Sequence, residues 1–365
     1  MPSITRTAEM VIERWLRKGN MAARMRDVLP KSGLSLEERE EVARIVHDVV
    51  RWKRWYDFVI EHYSLPERVE TYVRLARSEG GCESAERAVP EGRVTEIRYS
   101  FSRFMADMID SRFPELRDYL NREPETVLAV NFNRAERNDV LEALREEGLR
   151  AEPSAVDSAV ITDSRGRYSR AVKEGMAQVQ DESSQLIARI TASLGESILD
   201  YCAGNGVKTV SMASFRRNSG KLAAWDIDGK KRDILRRRAE QYGAEIDVLD
   251  RPEGEYDVVF VDAPCTGVGS ARRNPEAKYI DGTGEFPEIQ MGILDEAKER
   301  AGKYLVYCVC SFTPDETVEV VESFLEDNDF EEVRLEEKGL KRVEKGYLTD
   351  LPEGDVMYLC IMEKK

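Results

Sequence analysis

A chain of 365 residues with 41% hydrophobic and 34% charged residues exceeds one ordinary domain, and reads as a globular protein of two or three domains with a heavily charged surface. No apolar run approaches the length that spans a bilayer, and the first twenty residues lack an apolar signal core, so a cytoplasmic protein without membrane contact is expected. The net charge of −15 argues on average against a polyanionic partner, but nine basic residues outnumber four acidic ones between Ser214 and Gly243, and from Asp315 to Lys338 eleven acidic residues face two basic ones.

Up to about residue 115 the apolar positions recur at helical spacing. Met10, Val11, Trp15 and Leu16 form one such set, and Val42, Ile45, Val46, Val49 and Val50 another, opened by a capping box at Ser35 and Glu38. Trp52, Trp55 and Tyr56 follow and read as core. A loop is expected over Ser78–Ser84, then helix again from Ser100 to Leu120. Character changes near Pro124: strands are expected at Thr126–Asn131 and Ala159–Thr162, with a helix over Asp139–Glu147 between them. From Asp181 strands alternate with helices, at Ser197–Tyr201, Lys221–Asp226, Glu245–Leu249, Val258–Val261 and Lys303–Val309. That alternation implies a parallel sheet covered on both faces.

Six scattered cysteines (Cys82, Cys202, Cys265, Cys308, Cys310 and Cys360) and two histidines, His47 and His62, make neither a disulfide scaffold nor the usual zinc site, so no metal is expected. With no histidine beyond residue 62, acid–base chemistry in the C-terminal half must use carboxylates, cysteines, lysines or tyrosines. After the strand ending SILDYC comes AGNGVKT, whose Gly204 and Gly206 open a helix where backbone can approach a ligand. Asp226 closes the next strand and suits ribose hydroxyls. Further on, one strand ends in Asp262-Ala263-Pro264-Cys265 and another in Cys308-Val309-Cys310-Ser311. Strand ends of this kind face one crevice in a parallel sheet.

These motifs resemble the RNA cytosine-5 methyltransferases of the NOL1/NOP2/Sun family, in particular the small-subunit rRNA type with a NusB-like N-terminal domain. VQDESSQ (Val179–Gln185), CAGNGVKT (Cys202–Thr209), DAPCTG (Asp262–Gly267), RRNPEAKY (Arg272–Tyr279) and VCS (Val309–Ser311) followed by Pro314 and Glu316 carry the resemblance over nearly the whole chain. It implies a multidomain protein: an all-α NusB-like RNA-binding domain (1–122), a small α/β domain (123–180) and a class I, Rossmann-like, S-adenosylmethionine-dependent methyltransferase α/β domain (181–365). Cys202, Ala203, Gly204, Asn205, Gly206, Val207 and Lys208 would wrap the methionine part of S-adenosyl-L-methionine, Asp226 the ribose and Asp250 the adenine side, with Asp262 between cofactor and target base. A monomer acting on RNA, rRNA before tRNA, is expected.

The implied chemistry follows from the base. Carbon 5 of cytosine is a poor nucleophile until a thiolate adds to carbon 6, and Cys310 is the family's nucleophile for that step. Asp262 would meet N3 as charge develops there, and Cys265 would assist loss of the C5 proton and release of the enzyme. Arg272, Arg273 and Lys278 are candidates for RNA phosphates, as are Arg17, Lys18, Arg24, Arg26, Arg51, Lys53 and Arg54 in the first domain. The chain departs from the family pattern at Asn205-Gly206-Val207 for Pro-Gly-Gly, at Val309 for threonine, and at Tyr279 for tryptophan. Rival readings are a catalytically silent RNA-binding or ribosome-assembly protein and a DNA cytosine-5 methyltransferase, in which Cys265 would be the nucleophile.

Overall fold

The computed structural model describes residues 3–78 and 82–365. The chain divides into two compact units, one running up to Glu123 and taking in Ala271–Gly282, the other comprising Pro124–Ser270 and Thr283–Lys365. The expected boundaries differ at two points. Segment 271–282 belongs with the helices rather than with the C-terminal sheet, and the small α/β part shares a unit with that sheet.

In the first unit, the described residues form α1 (Ile4–Lys18), α2 (Met21–Val28), α3 (Leu36–Arg51), α4 (Lys53–His62) and α5 (Val69–Arg77). Four short helices follow: α6 (Glu83–Ala88), α7 (Val94–Ile97), α8 (Arg103–Arg112) and α9 (Leu116–Tyr119). Of the loop expected over Ser78–Ser84, residues 79–81 lie outside the described residues, and Glu83 already opens α6. Ser35 and Glu38 exchange the two bonds of the capping box at the start of α3, at 3.2 and 2.7 Å. Behind it Val42, Ile45, Val46, Val49 and Val50 are buried in one core with Ala8, Val11 and Ile12 of α1. The stripe expected on α1 needs correcting, because Met10 and Leu16 are exposed and Ala8, Val11 and Ile12 are buried. Positions 8, 11, 12 and 15 share one helix face, and position 10 falls opposite.

The second unit begins with β1 (Thr126–Val130), β2 (Glu152–Pro153), β3 (Ala159–Thr162) and β4 (Ala177–Val179), an antiparallel sheet in the order β2-β3-β1-β4 with α10 (Arg137–Glu146) and α11 (Arg170–Lys173). Alternation along β1 splits its side chains between two cores. Leu128 and Val130 pack with Val140 and Leu144 of α10, whereas Val127 joins the core of the large sheet. Because β1 is buried on both faces, the small sheet shares its core with the large one, which explains its place in the larger unit.

The large sheet is built from α12 (Glu182–Ala192), β5 (Ser197–Asp200), α13 (Val207–Phe215), β6 (Lys221–Ala224), α14 (Gly229–Tyr242), β7 (Asp247–Val248), β8 (Tyr256–Asp262), α15 (Phe286–Ala297), β9 (Ala301–Val309) and α16 (Val318–Asp327). It is completed by β10 (Phe330–Glu332), β11 (Leu340–Arg342), β12 (Tyr347–Thr349) and β13 (Tyr358–Lys364). The order is β11-β12-β13-β9-β8-β5-β6-β7, with β10 also on β13. β5 to β9 pair in parallel, as the alternation of elements implies, but β13 is antiparallel to β9 and the sheet is mixed. From β5 the chain builds outward through β6 to β7, then returns to β8 on the other side. The order therefore reverses between β5 and β8, and the carboxyl ends of those strands flank the crevice that such a reversal creates. Among the described residues no helix is long and apolar enough to cross a membrane.

Candidate active site at the carboxyl edge of the sheet

The turn from β5 into α13 is shaped by two glycines. Gly206 caps α13 with a φ of 82°, and a Cβ there would stand 2.7 Å from Leu235 Cγ of α14. Gly204, at φ 54°, has nothing within 4 Å of the place a Cβ would take, so its open side faces no protein atom. Its N–H donates to Asp226 Oδ2 at 2.9 Å, and Ala203 N–H donates to Trp225 O at 2.9 Å, which ties the turn to the end of β6. Arg238 donates to Asn205 O at 2.9 Å and to Gln178 Oε1 at 3.1 Å, while Gln178 Nε2 donates to Val207 O at 3.0 Å. The departures from Pro-Gly-Gly thus sit in a turn braced by backbone bonds that any side chain leaves available.

Carboxylates gather around this turn. Asp200 is buried and accepts from Thr209 Oγ1 at 2.7 Å, whereas its Oδ1 has no hydrogen-bond partner. Burial pushes its pKa up to about 7, against the pull of the Thr209 bond. Asp226 is buried as well, with Lys231 Nζ at 3.6 Å. Asp262 ends β8 and accepts from Lys208 Nζ at 2.7 Å. Burial by itself lowers the lysine's pKa, but the Asp262 charge outweighs it and holds the ammonium. Three carboxylates face two ammoniums, Lys208 and Lys231, and Asp200 keeps an orphaned buried acceptor beside an open glycine turn. That donor set fits a ligand carrying a sulfonium and an ammonium. Ile227, next to Asp226, is 84% exposed, a large apolar side chain at the rim that sequence reading passed over because a lone isoleucine carries no pattern. Asp250, expected near an adenine, is exposed and paired with Arg236 at 2.8 Å.

The two motif cysteines converge. Cys265 Sγ and Cys310 Sγ lie 3.1 Å apart, and both are free thiols. They come from neighbouring parallel strands: Asp262 of β8 is level with Cys308 of β9, Ala263 N–H donates to Cys308 O at 3.0 Å, and Gly269 N–H donates to Cys310 O at 3.0 Å. The hydrogen bond to Cys310 and burial both raise the Cys265 pKa, so this thiol keeps its proton at neutral pH. The motif VQDESSQ does not reach the thiols. Asp181 caps α12, Gln185 donates to Gln180 O, and Ser211 of α13 donates to Gln180 Oε1, so these residues are the brace behind the glycine turn.

The structure corrects the phosphate-binding assignment of Arg272 and Lys278. Lys278 is fully buried in the helical unit and donates to Arg51 O at 2.8 Å, Tyr99 O at 2.8 Å and Asn121 Oδ1 at 2.6 Å, between the Trp52 and Phe101 rings. All three ammonium protons are committed to protein oxygens, which leaves none for a phosphate. Arg272 is buried over Tyr119 and donates to its hydroxyl at 3.0 Å, and Arg51 is buried and donates to Arg272 O at 2.8 Å. Arg273 is half-buried. Tyr279 also anchors the segment, accepting from Lys53 N–H at 3.2 Å while its hydroxyl donates to Val50 O at 2.5 Å. An indole, which only donates, cannot play both parts. Lys53 and Arg54 are paired with Asp57 and Glu96.

Residues 189–361 match the family described as 16S rRNA methyltransferase RsmB/F. A probable ribosomal RNA small subunit methyltransferase B from Bacillus subtilis is 32% identical over 269 residues, 66% of this chain and 60% of that protein. A ribosomal RNA small subunit methyltransferase B from Escherichia coli is 26% identical over 358 residues, covering 88% of this chain and 83% of that one. The chain thus spans less than two thirds of the Bacillus relative's length. In fold it resembles the crystal structure of PH0851, with a TM-score of 0.80 and 18% identity over 100% of this chain and 99% of the other.

Proposed function

We propose that this chain, whose residues 189–361 match the 16S rRNA methyltransferase RsmB/F family, methylates carbon 5 of a cytosine in ribosomal RNA in the cytoplasm, with S-adenosyl-L-methionine as methyl donor. The observation that carries the proposal is the meeting of two thiols, Cys310 and Cys265, 3.1 Å apart on the strand ends that also present the Asp262–Lys208 pair. Residues Cys202–Lys208 and Asp226 are the cradle for the cofactor: Gly204 supplies open backbone, Asp226 hydroxyl acceptors, and the surrounding carboxylates suit a cation. When bound there, the cofactor supplies a methyl group activated by its sulfonium.

The chain's own groups account for the rest of the chemistry. The target base must be unstacked to enter, at a cost of a few kcal/mol. The Cys310 thiolate forms a bond to carbon 6, and the electron pair of the C5–C6 double bond moves toward N3, making carbon 5 enamine-like. Lys208 occupies Oδ2 of Asp262, so Oδ1 is the oxygen that meets the edge of the base as N3 gains a proton. Once carbon 5 carries the methyl group, its proton passes to solvent water, the C5–H electron pair re-forms the C5–C6 double bond as the sulfur–C6 bond breaks, and the proton taken up at N3 returns to solvent, restoring the Cys310 thiolate. Cys265, held beside Cys310, is placed to assist that release. The helical unit, which we read as the NusB-like RNA-docking domain, offers Lys18 and Arg26 for phosphates once the buried Arg51, Arg272 and Lys278 and the ion-paired Arg17, Arg24, Lys53 and Arg54 are set aside.

The test is incubation of wild type, Cys310→Ala and Cys265→Ala with radiolabelled S-adenosylmethionine and total RNA, resolved on a denaturing gel. We expect 5-methylcytosine from wild type, none from Cys310→Ala, and a protein–RNA adduct retained by Cys265→Ala. Methylation by Cys310→Ala would overturn the mechanism, and absence of label in any RNA with wild type would favour a silent RNA-binding scaffold.

A further inference from the structure

Behind the two thiols lies a carboxylate that the reaction as drawn does not use. Glu316 follows β9 and is fully buried. Its Oε1 accepts from the Thr266 N–H at 2.8 Å and from Gln290 Nε2 at 3.3 Å. Its Oε2 accepts from Thr266 Oγ1 at 2.6 Å, Ser311 Oγ at 2.6 Å and Thr313 Oγ1 at 3.0 Å. Thr266 is the residue after Cys265, and Ser311 is the residue after Cys310. Gln290 adds a bond to Pro264 O at 2.9 Å, the carbonyl just before Cys265. The backbone of Glu316 is itself fixed, since Tyr307 of β9 donates to its carbonyl at 2.7 Å.

Burying a carboxylate is expensive unless hydrogen bonds compensate it, and here five neutral donors do so. A loop needing only to be closed can be closed by apolar contacts. What the carboxylate adds is one rigid acceptor shared by the two chain segments that carry the thiols. Charge-assisted bonds to one group fix two donors relative to each other more tightly than separate neutral bonds do.

We propose that Glu316 is a positioning residue that sets the separation and alignment of Cys265 against Cys310. The inference rests on the reading above, in which Cys310 forms the adduct and Cys265 assists its release. Glu316 is fully buried and both its oxygens are taken up by protein donors, so it acts on the thiols only through the segments it holds. Its loss therefore impairs the step that needs both thiols in register more than the step that needs Cys310 alone.

The test compares wild type, Cys265→Ala, Glu316→Gln, Glu316→Asp and Thr266→Val with an RNA substrate that wild type methylates. Glutamine keeps the size of Glu316 but turns an NH2 group toward donors that require an acceptor. We expect Glu316→Gln to lower kcat by roughly 10- to 100-fold, with KM for RNA and for S-adenosylmethionine within about threefold of wild type. Covalent adduct should accumulate on a denaturing gel, as with Cys265→Ala, and Glu316→Asp should recover part of the turnover. Thr266→Val removes one bond to the carboxylate without burying new charge. It should show the same signature more weakly, and it decides the matter if Glu316→Gln does not fold. Wild-type turnover without adduct in whichever variants fold, or lost turnover without adduct, overturns the proposal. Inactivity of wild type, or activity of Cys310→Ala, instead removes the reading on which it rests.

Discussion

Lys278 shows how far a residue's chemistry depends on where the fold puts it. In sequence it is the third cation of RRNPEAKY, and a basic triplet after a catalytic turn suggests phosphates. In the structure its ammonium is enclosed by three protein oxygens and two aromatic faces, and burial, with repulsion from Arg51, lowers its pKa. The three acceptors and the ring quadrupoles offset that cost. Lys278→Ala leaves three buried oxygens without their donor, each loss costing about 1–3 kcal/mol. We expect a destabilisation of roughly 3 kcal/mol or more, read as a melting-temperature drop of about 6 °C or more. The slope of RNA affinity against salt should be unchanged, since no phosphate contact is lost. A salt slope reduced by about one, with unchanged melting, restores the phosphate role.

Among the elements, the β5–α13 turn gives the sharpest contrast between folding and binding. Both glycines adopt left-handed φ, so alanine at either strains the backbone by on the order of 1 kcal/mol. At Gly206 the added methyl also meets Leu235 at 2.7 Å, whereas at Gly204 it meets no protein atom. Gly206→Ala should therefore lower stability by about 2–4 kcal/mol through strain and overpacking combined. Gly204→Ala should cost about 1 kcal/mol in stability but weaken S-adenosylmethionine binding by tenfold or more, because its methyl stands where ligand is expected. Chemical denaturation and calorimetric titration of both variants separate the two effects; equal binding losses with equal stability losses contradict the assignment. This turn was legible in the sequence because glycine, acid and strand end recur at fixed spacing. So was the alternation of β5 to β9, and so was the buried stripe of α3. The C-terminal strands β10 to β13 were not, because three of them are three residues long and lie in a charge-rich stretch with no visible period. Nor was the brace around Glu316, to which hydroxyl and amide donors as far as 50 residues away in sequence are brought by tertiary contact.

For the molecule as a whole, the proposed function requires a protein of net charge −15 to handle a polyanion. Its richest basic stretch is largely spent internally. Of the nine cations between Ser214 and Gly243, Arg216 and Arg217 bond backbone carbonyls, Arg232 and Arg238 do likewise, and Lys231 and Arg236 pair with Asp226 and Asp250. Lys221 lies over the Tyr256 ring, which leaves Lys230 and Arg237 on α14 as the more available charges of that stretch. Few phosphates can then be neutralised by this unit, and under the proposed function specificity would rest on shape and on capture of a flipped base rather than on a broad basic face. We expect the logarithm of RNA affinity to fall with the logarithm of salt at a slope no steeper than about −4, the value for some five or six contacts on single strands. Lys230→Glu and Arg237→Glu should each weaken binding at low salt and flatten that slope by roughly one, leaving kcat at saturating RNA unchanged. Filter binding between low and physiological salt measures the slope, and a value near −8 would mean that the docking surface is far more basic than the ion pairing of α14 allows.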